Sequence, residues 1–432
     1  MSLNRDIWLL VSAHLQQRDK ANLLLVCRDW YSLFLREVYR TISIRGLQVH
    51  FLTQTVRSNP NIATAIRNLN LDLSFVYFKS DPHPNYEVDT IWDAVKANNL
   101  GDSWRESLRI GCPDAWLAVM VLSLDSLTSM SLKFCESNYS LPLVDRMAAA
   151  NPTGRALQRL SRVAFHPDGV MGFYIASELI PFFNLPAMQV FSAGGICEYH
   201  YGPMSPKPGT STIRELDLGG FKTNNGSRGF ADYITSCANL EVFDYQHDNK
   251  AVWKEAYLDF HPLLFYNALC SQKHSLRKLR LNDSGQMEET GVDEEYEKYI
   301  GFGSLADFHR LQELYIPFRT LLQFGSGDKP EVSLVEVLPH SLETLCLSHC
   351  YEADVALLIE SLQSLLVQRE RFPNVKRIQL QLGAIDPRKH SGSKKLAPPC
   401  FLPLEMKCCK IGVRFGFRLY GRDVDHVYAD RP

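Results

Sequence analysis

A short apolar pattern, L-x-x-L-x-L with other apolar letters allowed, constrains the fold of this chain more than any other feature. The matches are IRNLNL (66–71), LTSMSL (127–132), LSRVAF (160–165), LPAMQV (185–190) and IRELDL (213–218). They continue with LEVFDY (240–245), LRKLRL (276–281), LQELYI (311–316), LETLCL (342–347) and VKRIQL (375–380). In a chain that is 45% hydrophobic, so loose a template matches about one window in eleven by chance, and the number of matches decides nothing. Their spacing does. The last letters fall at 71, 132, 165, 190, 218, 245, 281, 316, 347 and 380, so after the first gap the steps run from 25 to 36 residues. SLRKLRL (275–281) and SLETLCL (341–347) share a tighter S-L-x-x-L-x-L form. The alternation inside each match is that of a strand with one buried face.

Helical patterns lie between the matches. DVALLIESLQSLLVQRERFP (354–373) places Val355, Leu358, Leu362 and Leu365 on one face, with Pro373 beyond its end. VHFLTQTVRSNP (49–60) and LVDRMAAANP (143–152) look alike in role. Strand–helix units at this period predict an α/β fold, an irregular leucine-rich-repeat solenoid or horseshoe, in which no unit buries its apolar face alone. The units are longer than the commonest ones. An Asn or Cys three positions after the last Leu occurs only as Cys135 and Cys350. The wide first gap leaves room for a further unit between 72 and 126. The competing fold is an ordinary α/β protein with parallel strands.

The first forty residues follow a different rhythm. In LNRDIWLLVSAHL (3–15), Ile7, Leu10, Val11 and the pair His14/Leu15 fall on one helical stripe, with Asn4 placed to cap its start. QQRD (16–19) is a polar break, and Asp19 is a candidate cap for a second helix over KANLLLVC (20–27). RDWYSLFLREVYR (28–40) predicts a third, with Trp30, Leu33, Phe34 and Val38 on one side, before TISI (41–44) turns extended. Three short helices make a core too small to be very stable alone. Their apolar residues exceed what the trio can bury, so part of that surface must meet the rest of the chain or a partner.

These residues resemble the F-box. The family pattern opens with Leu-Pro, continues with an acidic-Ile pair, Leu, Leu and Asp, and closes on Val-Cys-(Arg/Lys)-x-Trp. The matches are Leu3, Asp6-Ile7, Leu10, Leu15, Asp19, Val26-Cys27-Arg28 and Trp30, followed by Tyr39-Arg40 and TISI where the family carries an aromatic-Arg and a first strand. Asn4 stands where the family usually has Pro, which keeps a helix start but loses a Pro contact with the adaptor. An F-box over 1–45 followed by a repeat array over 46–432 is similar to the F-box/leucine-rich-repeat family, with irregular units like those of large fungal sets. The resemblance implies binding to a Skp-type adaptor, and through it to a cullin–RING ubiquitin ligase, while the array selects the protein substrate. It implies an adaptor-binding face of Leu3, Ile7, Leu10, Leu15, Leu23, Val26, Cys27 and Trp30. The alternatives are a plain three-helix cap on a repeat scaffold with no ligase role, marked by these residues being buried against 41–75, and an enzyme on an α/β frame.

Other features narrow the function classes. A formal net charge of -2 gives no global pull toward nucleic acid or an anionic membrane. The 11 cysteines are odd in number and without a period, which suits thiols in a reducing compartment. No apolar run approaches the roughly 18 residues of a membrane span. IWLLVSA (7–13) is too short for a signal peptide, and Asp6 cancels Arg5 before it. The expectation is a cytoplasmic or nuclear protein.

In a horseshoe the letters between the apolar positions point outward from the sheet. Glu215, Asp217 and Asp244, then Lys278, Arg280, Glu313, Tyr315 and Arg377, are the candidate substrate-binding residues, an acidic stretch beside a basic one. The competing reading is a solvated sheet face. NDSGQMEETGVDEEYEKYIG (282–301) is an acidic insertion, LGAIDPRKHSGSKKLAPPCFLP (382–403) a Pro/Gly/Lys break, and GVRFGFRLYG (412–421) a strand closing the array. No catalytic set, cofactor site or metal site is expected. Cys346, His349 and Cys350 lie close together but lack a second pair at zinc spacing, and buried repeat cysteines explain them better.

Overall fold

Each apolar match contributes to a parallel strand in the computed structural model. It describes residues 5–74, 88–95, 102–133, 138–149, 156–167, 173–198, 207–219, 223, 228–247, 260–283, 301–324, 330–382 and 399–419. The chain divides into two units: Met1–Gly194 with Thr210–Ile213, and Gly195–Gly209 with Arg214–Pro432.

The first unit begins with three helices, α1 (Arg5–Ala13), α2 (Gln17–Leu23) and α3 (Arg28–Tyr39). Its parallel ladder is β1 (Thr41–Arg45), β2 (Asn68–Asp72), β3 (Ser129–Lys133), β4 (Arg162–His166) and β6 (Val190–Ala193), with the two-residue strand β5 (Tyr174–Ile175) outside it. Helices α4 (Gln48–Ser58) and α5 (Pro60–Ala65) join β1 to β2, and α9 (Ser140–Ala149) follows β3. The wide gap between β2 and β3 holds α6 (Val88–Val95), α7 (Asp102–Arg109) and α8 (Pro113–Val121) rather than a further rung, since β2 pairs directly with β3.

Every residue of α8 is buried, as expected of a helix apolar on all sides. Its one acid, Asp114, accepts hydrogen bonds from the backbone N–H groups of Tyr139 (2.7 Å) and Ser140 (3.2 Å), and so caps the start of α9. Trp116 packs edge-on against the buried His50 ring of α4, 4.9 Å between centroids, and its indole N–H donates to Leu108 O at 3.0 Å.

The second unit carries a two-residue strand β7 (Ile196–Cys197) and a ladder of seven strands. These are β8 (Glu215–Leu218), β9 (Val242–His247), β10 (Lys278–Asp283), β11 (Glu313–Pro317), β12 (Thr344–Cys350), β13 (Arg377–Leu382) and β14 (Arg414–Leu419). Helices α10 (Ala231–Ser236), α11 (Pro262–Leu269), α12 (Phe318–Leu322), α13 (Leu334–Val337), α14 (Val355–Val367) and α15 (Leu402–Lys410) fill the connections. On α14 the buried residues are Leu358, Leu362, Leu365 and Leu366, while Val355 is half-buried. The aromatic rungs Phe243 and Tyr245 meet Phe265 of α11, with Tyr245 and Phe265 centroids 4.5 Å apart. The C-terminal strand pairs in parallel with β13, from Arg377 opposite Arg414 to Leu382 opposite Leu419.

One device locks successive units. A single carbonyl just before a strand accepts two successive backbone N–H groups of the next unit. Arg40 O takes Arg67 and Asn68, Arg67 O takes Thr128 and Ser129, Thr128 O takes Ser161 and Arg162, and Ser161 O takes Gln189 and Val190. The second unit repeats it from Arg214 O through Glu241, Arg277, Gln312 and Glu343, at 2.8–3.1 Å. This fixes the strand register, since a slip of one residue would turn every apolar letter outward.

That register corrects several expectations. Val163 pairs with Phe191, so the rung of β6 is Met188, Phe191 and Ala193, not the Leu185, Met188 and Val190 of LPAMQV. The second helix ends at Leu23, so Leu24–Val26 form a turn, and Asp19 sits inside the first turn of α2 behind the N-cap Gln16. The first helix stops at Ala13, leaving His14 exposed and Leu15 half-buried. Most of the acidic insertion and of the 382–403 break lies outside the described residues, as do Leu3, Asn4 and Cys135.

Candidate functional site

Two surfaces carry the residues singled out from the sequence. The first is formed by α1–α3. Helix α3 turns Phe34, Leu35 and Val38 inward, where it packs against α5 and β1. Trp30 is half-buried, with its ring 4.9 Å from Trp8 of α1 and edge-on to Phe34 at 5.6 Å, so it ties α1 to α3. Around this seam the apolar side chains face solvent: Ile7 is 45%, Leu10 68%, Val11 46%, Leu25 84% and Val26 60% exposed. Cys27 is exposed at the N-cap of α3, and Leu15 and Leu23 are half-buried.

Ile7, Leu10, Val26 and Cys27 therefore lie on the surface of the chain, Trp30 at its edge, and Leu3 outside the described residues. Val11, which the helical stripe includes, and Leu25 belong to the same surface, though neither is among the residues of the implied adaptor-binding face. The signal for Leu25 is the run Leu23–Leu24–Leu25–Val26, four apolar letters that one short helix cannot bury at once.

The second surface is the outward row of the second unit's ladder. Register places Asp217, Asp244, Arg280, Tyr315, Cys346 and Gln379 side by side on successive strands. Burial raises the Asp244 carboxyl to about 6, with the neighbouring Asp217 adding to the rise and Arg280 opposing it. Arg280 lies 3.6 Å from Asp244 and stacks over the Tyr315 ring at 4.8 Å. Tyr315 in turn donates from its hydroxyl to the side-chain carbonyl of Gln381, reaching across β12. Lys278 pairs with Glu313 at 3.5 Å. The structure thus divides the eight candidates between two neighbouring rows: Asp217, Asp244, Arg280 and Tyr315 share this one, while Glu215, Lys278, Glu313 and Arg377 belong to the row beside it. Glu215 and Arg377 are both exposed, Arg377 two strands beyond Glu313.

Cys346 of this row, and Ser348 and Cys350 further along β12, are buried, and burial, with Cys346 and Asp354 nearby, pushes the Cys350 thiol far above its ordinary value. His349 takes a left-handed conformation, φ 52°, where the pairing with β13 shifts register. Among the described residues no group of three or more His, Cys, Asp or Glu side chains could hold a metal ion. None of their helices is long and apolar enough to cross a membrane.

A parallel ladder of strand–helix units, buried on one side and polar on the other, defines a repeat protein of the interaction class. A family model described as a leucine-rich repeat domain matches residues 37–386, and the chain belongs to that family. A comparison with curated proteins finds no match. Leucine-rich repeats suggest protein–protein interaction as the role of the array.

Proposed function

We propose that the chain is the substrate-recognition subunit of an SCF-type cullin–RING ubiquitin ligase. Residues 1–45 bind a Skp-type adaptor, and the array over 46–432 binds the protein substrate through the outward rows that run from Glu215 to Arg377. One observation carries this reading: an apolar surface on α1–α3, including Ile7, Leu10 and Val26, left open by the chain itself. A simple cap would bury those side chains against the first repeats, whereas the residues that α3 buries are Phe34, Leu35 and Val38. Burying a large apolar side chain is worth about 1.5–3 kcal/mol, so a partner covering several of them gains enough to bind stably. Catalysis in such a complex belongs to other subunits.

The test is a pull-down of the full chain with a purified Skp-type adaptor. Stoichiometric capture is expected, and Leu10→Ala with Trp30→Ala should abolish it while the array keeps its circular dichroism spectrum. Capture that survives the double change would remove the assigned face. Failure of the wild-type chain to bind at micromolar concentration would leave the repeat scaffold without a ligase role.

A further inference from the structure

A second candidate site lies in the first unit, at the end of the sheet where the strands begin. A cavity of about 320 Å³ opens there between the last turn of α3, the end of α5 and the entries to β2 and β3. Its charged lining is Arg36, Glu37, Arg40 and Arg67, with Thr64 and Asn68 beside them. Three guanidinium groups therefore share one cavity with a single carboxylate.

The chain does not neutralise this charge. Among the described residues none of the three arginines has an acidic partner within 4.0 Å, and Glu37 has no basic one. The ends of α3 and α5 present carbonyl groups, but a helix terminus counts for about half an elementary charge at most. Taking three positive charges, one carboxylate and two such termini, an excess of about one positive charge remains. Arg36 lies in the last turn of α3 and Arg40 is its C-cap residue.

The neutral polar groups are already committed within the fold. Thr64 donates to Asn61 O at 3.1 Å, and the Asn68 amide donates to Thr41 Oγ1 at 3.0 Å. Arg67 spends one Nη1 bond on Ser126 O at 2.8 Å. The remaining guanidinium N–H groups of Arg67, and those of Arg36 and Arg40, are left for a ligand. Planar forks of this kind match the oxygens of a phosphate.

We infer that this cavity binds a phosphate monoester. The excess charge calls for an anion, and three arginine forks favour a dianion over a single carboxylate. The volume falls at the lower end of small-molecule sites, about 300–1,000 Å³, so the phosphate arrives attached to a small group. That group is either a free phosphorylated metabolite or the phosphorylated side chain of a protein. Because Arg36 and Arg40 come from the last turn and C-cap of α3 and Arg67 from the entry to β2, the ligand bridges the N-terminal helices and the repeats. The inference stands apart from the adaptor reading, since none of its residues belongs to the exposed apolar surface.

Isothermal titration calorimetry of the full chain at low salt tests it, with inorganic phosphate, glucose 6-phosphate, and a phosphoserine peptide beside its unphosphorylated form. Saturable phosphate binding is expected, weakened about tenfold or more in Arg36→Ala/Arg40→Ala, which removes two of the three charge-assisted contacts. Both positions are exposed, so the variant should melt near the wild type. Glu37→Gln, which removes the one competing acid, should bind phosphate more tightly and keeps the test decisive if the arginine variant misfolds. Preference for the phosphopeptide or for the sugar phosphate identifies the source. No saturable binding of any phosphate compound, or equal binding by wild type and both variants, overturns the proposal.

Discussion

The central outward rows of the two ladders are built from different chemistry. In the first unit the central row reads Ser43, Asn70, Ser131, Ala164 and Ser192, all small and uncharged. Its cross-strand bonds are modest, such as the Asn70 amide donating to Ser43 Oγ at 3.2 Å. In the second unit the same structural position reads Asp217, Asp244, Arg280, Tyr315, Cys346, Gln379 and Gly416. The inward letters differ far less: Leu69, Met130, Val163 and Phe191 in one unit, and Leu216, Phe243, Leu279 and Leu314 in the other, are all buried. Repetition is thus a property of the core. The letters between the rungs are free to vary: in this central row the second unit places long, charged and aromatic side chains, while the first unit keeps such residues at the strand ends, as with Arg45, Asp72 and Lys133.

The comparison breaks most sharply at the core. Phe191→Ala and Phe243→Ala occupy corresponding rungs, and each should cost about 3–5 kcal/mol of stability. Urea unfolding followed by tryptophan fluorescence measures this, and a loss under about 1 kcal/mol at either site would mean that one ladder is not packed as described.

A somewhat smaller effect separates buried charge from surface charge within the second unit. Arg319 of α12 donates to both carboxylate oxygens of Asp354, with its closest contact at 2.8 Å, and Asp354 is almost wholly buried. Asp354→Ala strands the guanidinium and should cost about 3 kcal/mol, whereas Lys278→Ala on the exposed row should cost about 0–1 kcal/mol. Equal melting temperatures for the two variants would show that Arg319 finds water instead.

The smallest effect is a pH dependence confined to one row. Asp244, raised to about 6 in the folded chain, favours its protonated form there. Its contribution is therefore fully present below the ordinary carboxylate range and lost as pH rises through 6. Asp244→Asn should remove that dependence and stabilise the chain at pH 7.5, by less than the roughly 3 kcal/mol that the shift alone implies, because the Arg280 contact is lost too. The Asp244 midpoint by NMR should fall in Asp217→Asn. Ser43→Ala, in the first unit's row and bonded there to the neutral Asn70 amide, should show no change with pH over the same range. A midpoint near 4 in the wild type would mean that Asp244 is hydrated.

Much of this was legible in the letters, and the failures have physical causes. Strand positions followed from period-two alternation because nine of the ten matches have one apolar register. The tenth had two: Leu185-x-x-Met188-x-Val190 overlaps Met188-x-x-Phe191-x-Ala193, and both satisfy the pattern. Backbone bonding from Ser161 O, invisible in sequence, chose the second. The gap between 72 and 126 looked like a missed rung because α8, apolar all round, has no helical stripe to betray it. The paired arrangement of Arg280 with Asp244 and Tyr315 required the strand neighbours, which sequence order alone left open until the register was known. The phosphate cavity had no motif, since Arg36, Arg40 and Arg67 meet only when α3 lies beside the entry to β2.

The carbonyl that accepts two N–H groups at each strand entry has a wider consequence. Register is set at that point, so the connector between one strand and the next is free to change in length. Closing a flexible connector twice as long costs only about 0.6 kcal/mol more, which is how three helices fit between β2 and β3 without disturbing their pairing. The back of such a molecule can be rebuilt by insertion while its face stays constant. A segment grafted into a connector of either ladder should leave the strand rows, and whatever they recognise, unaltered.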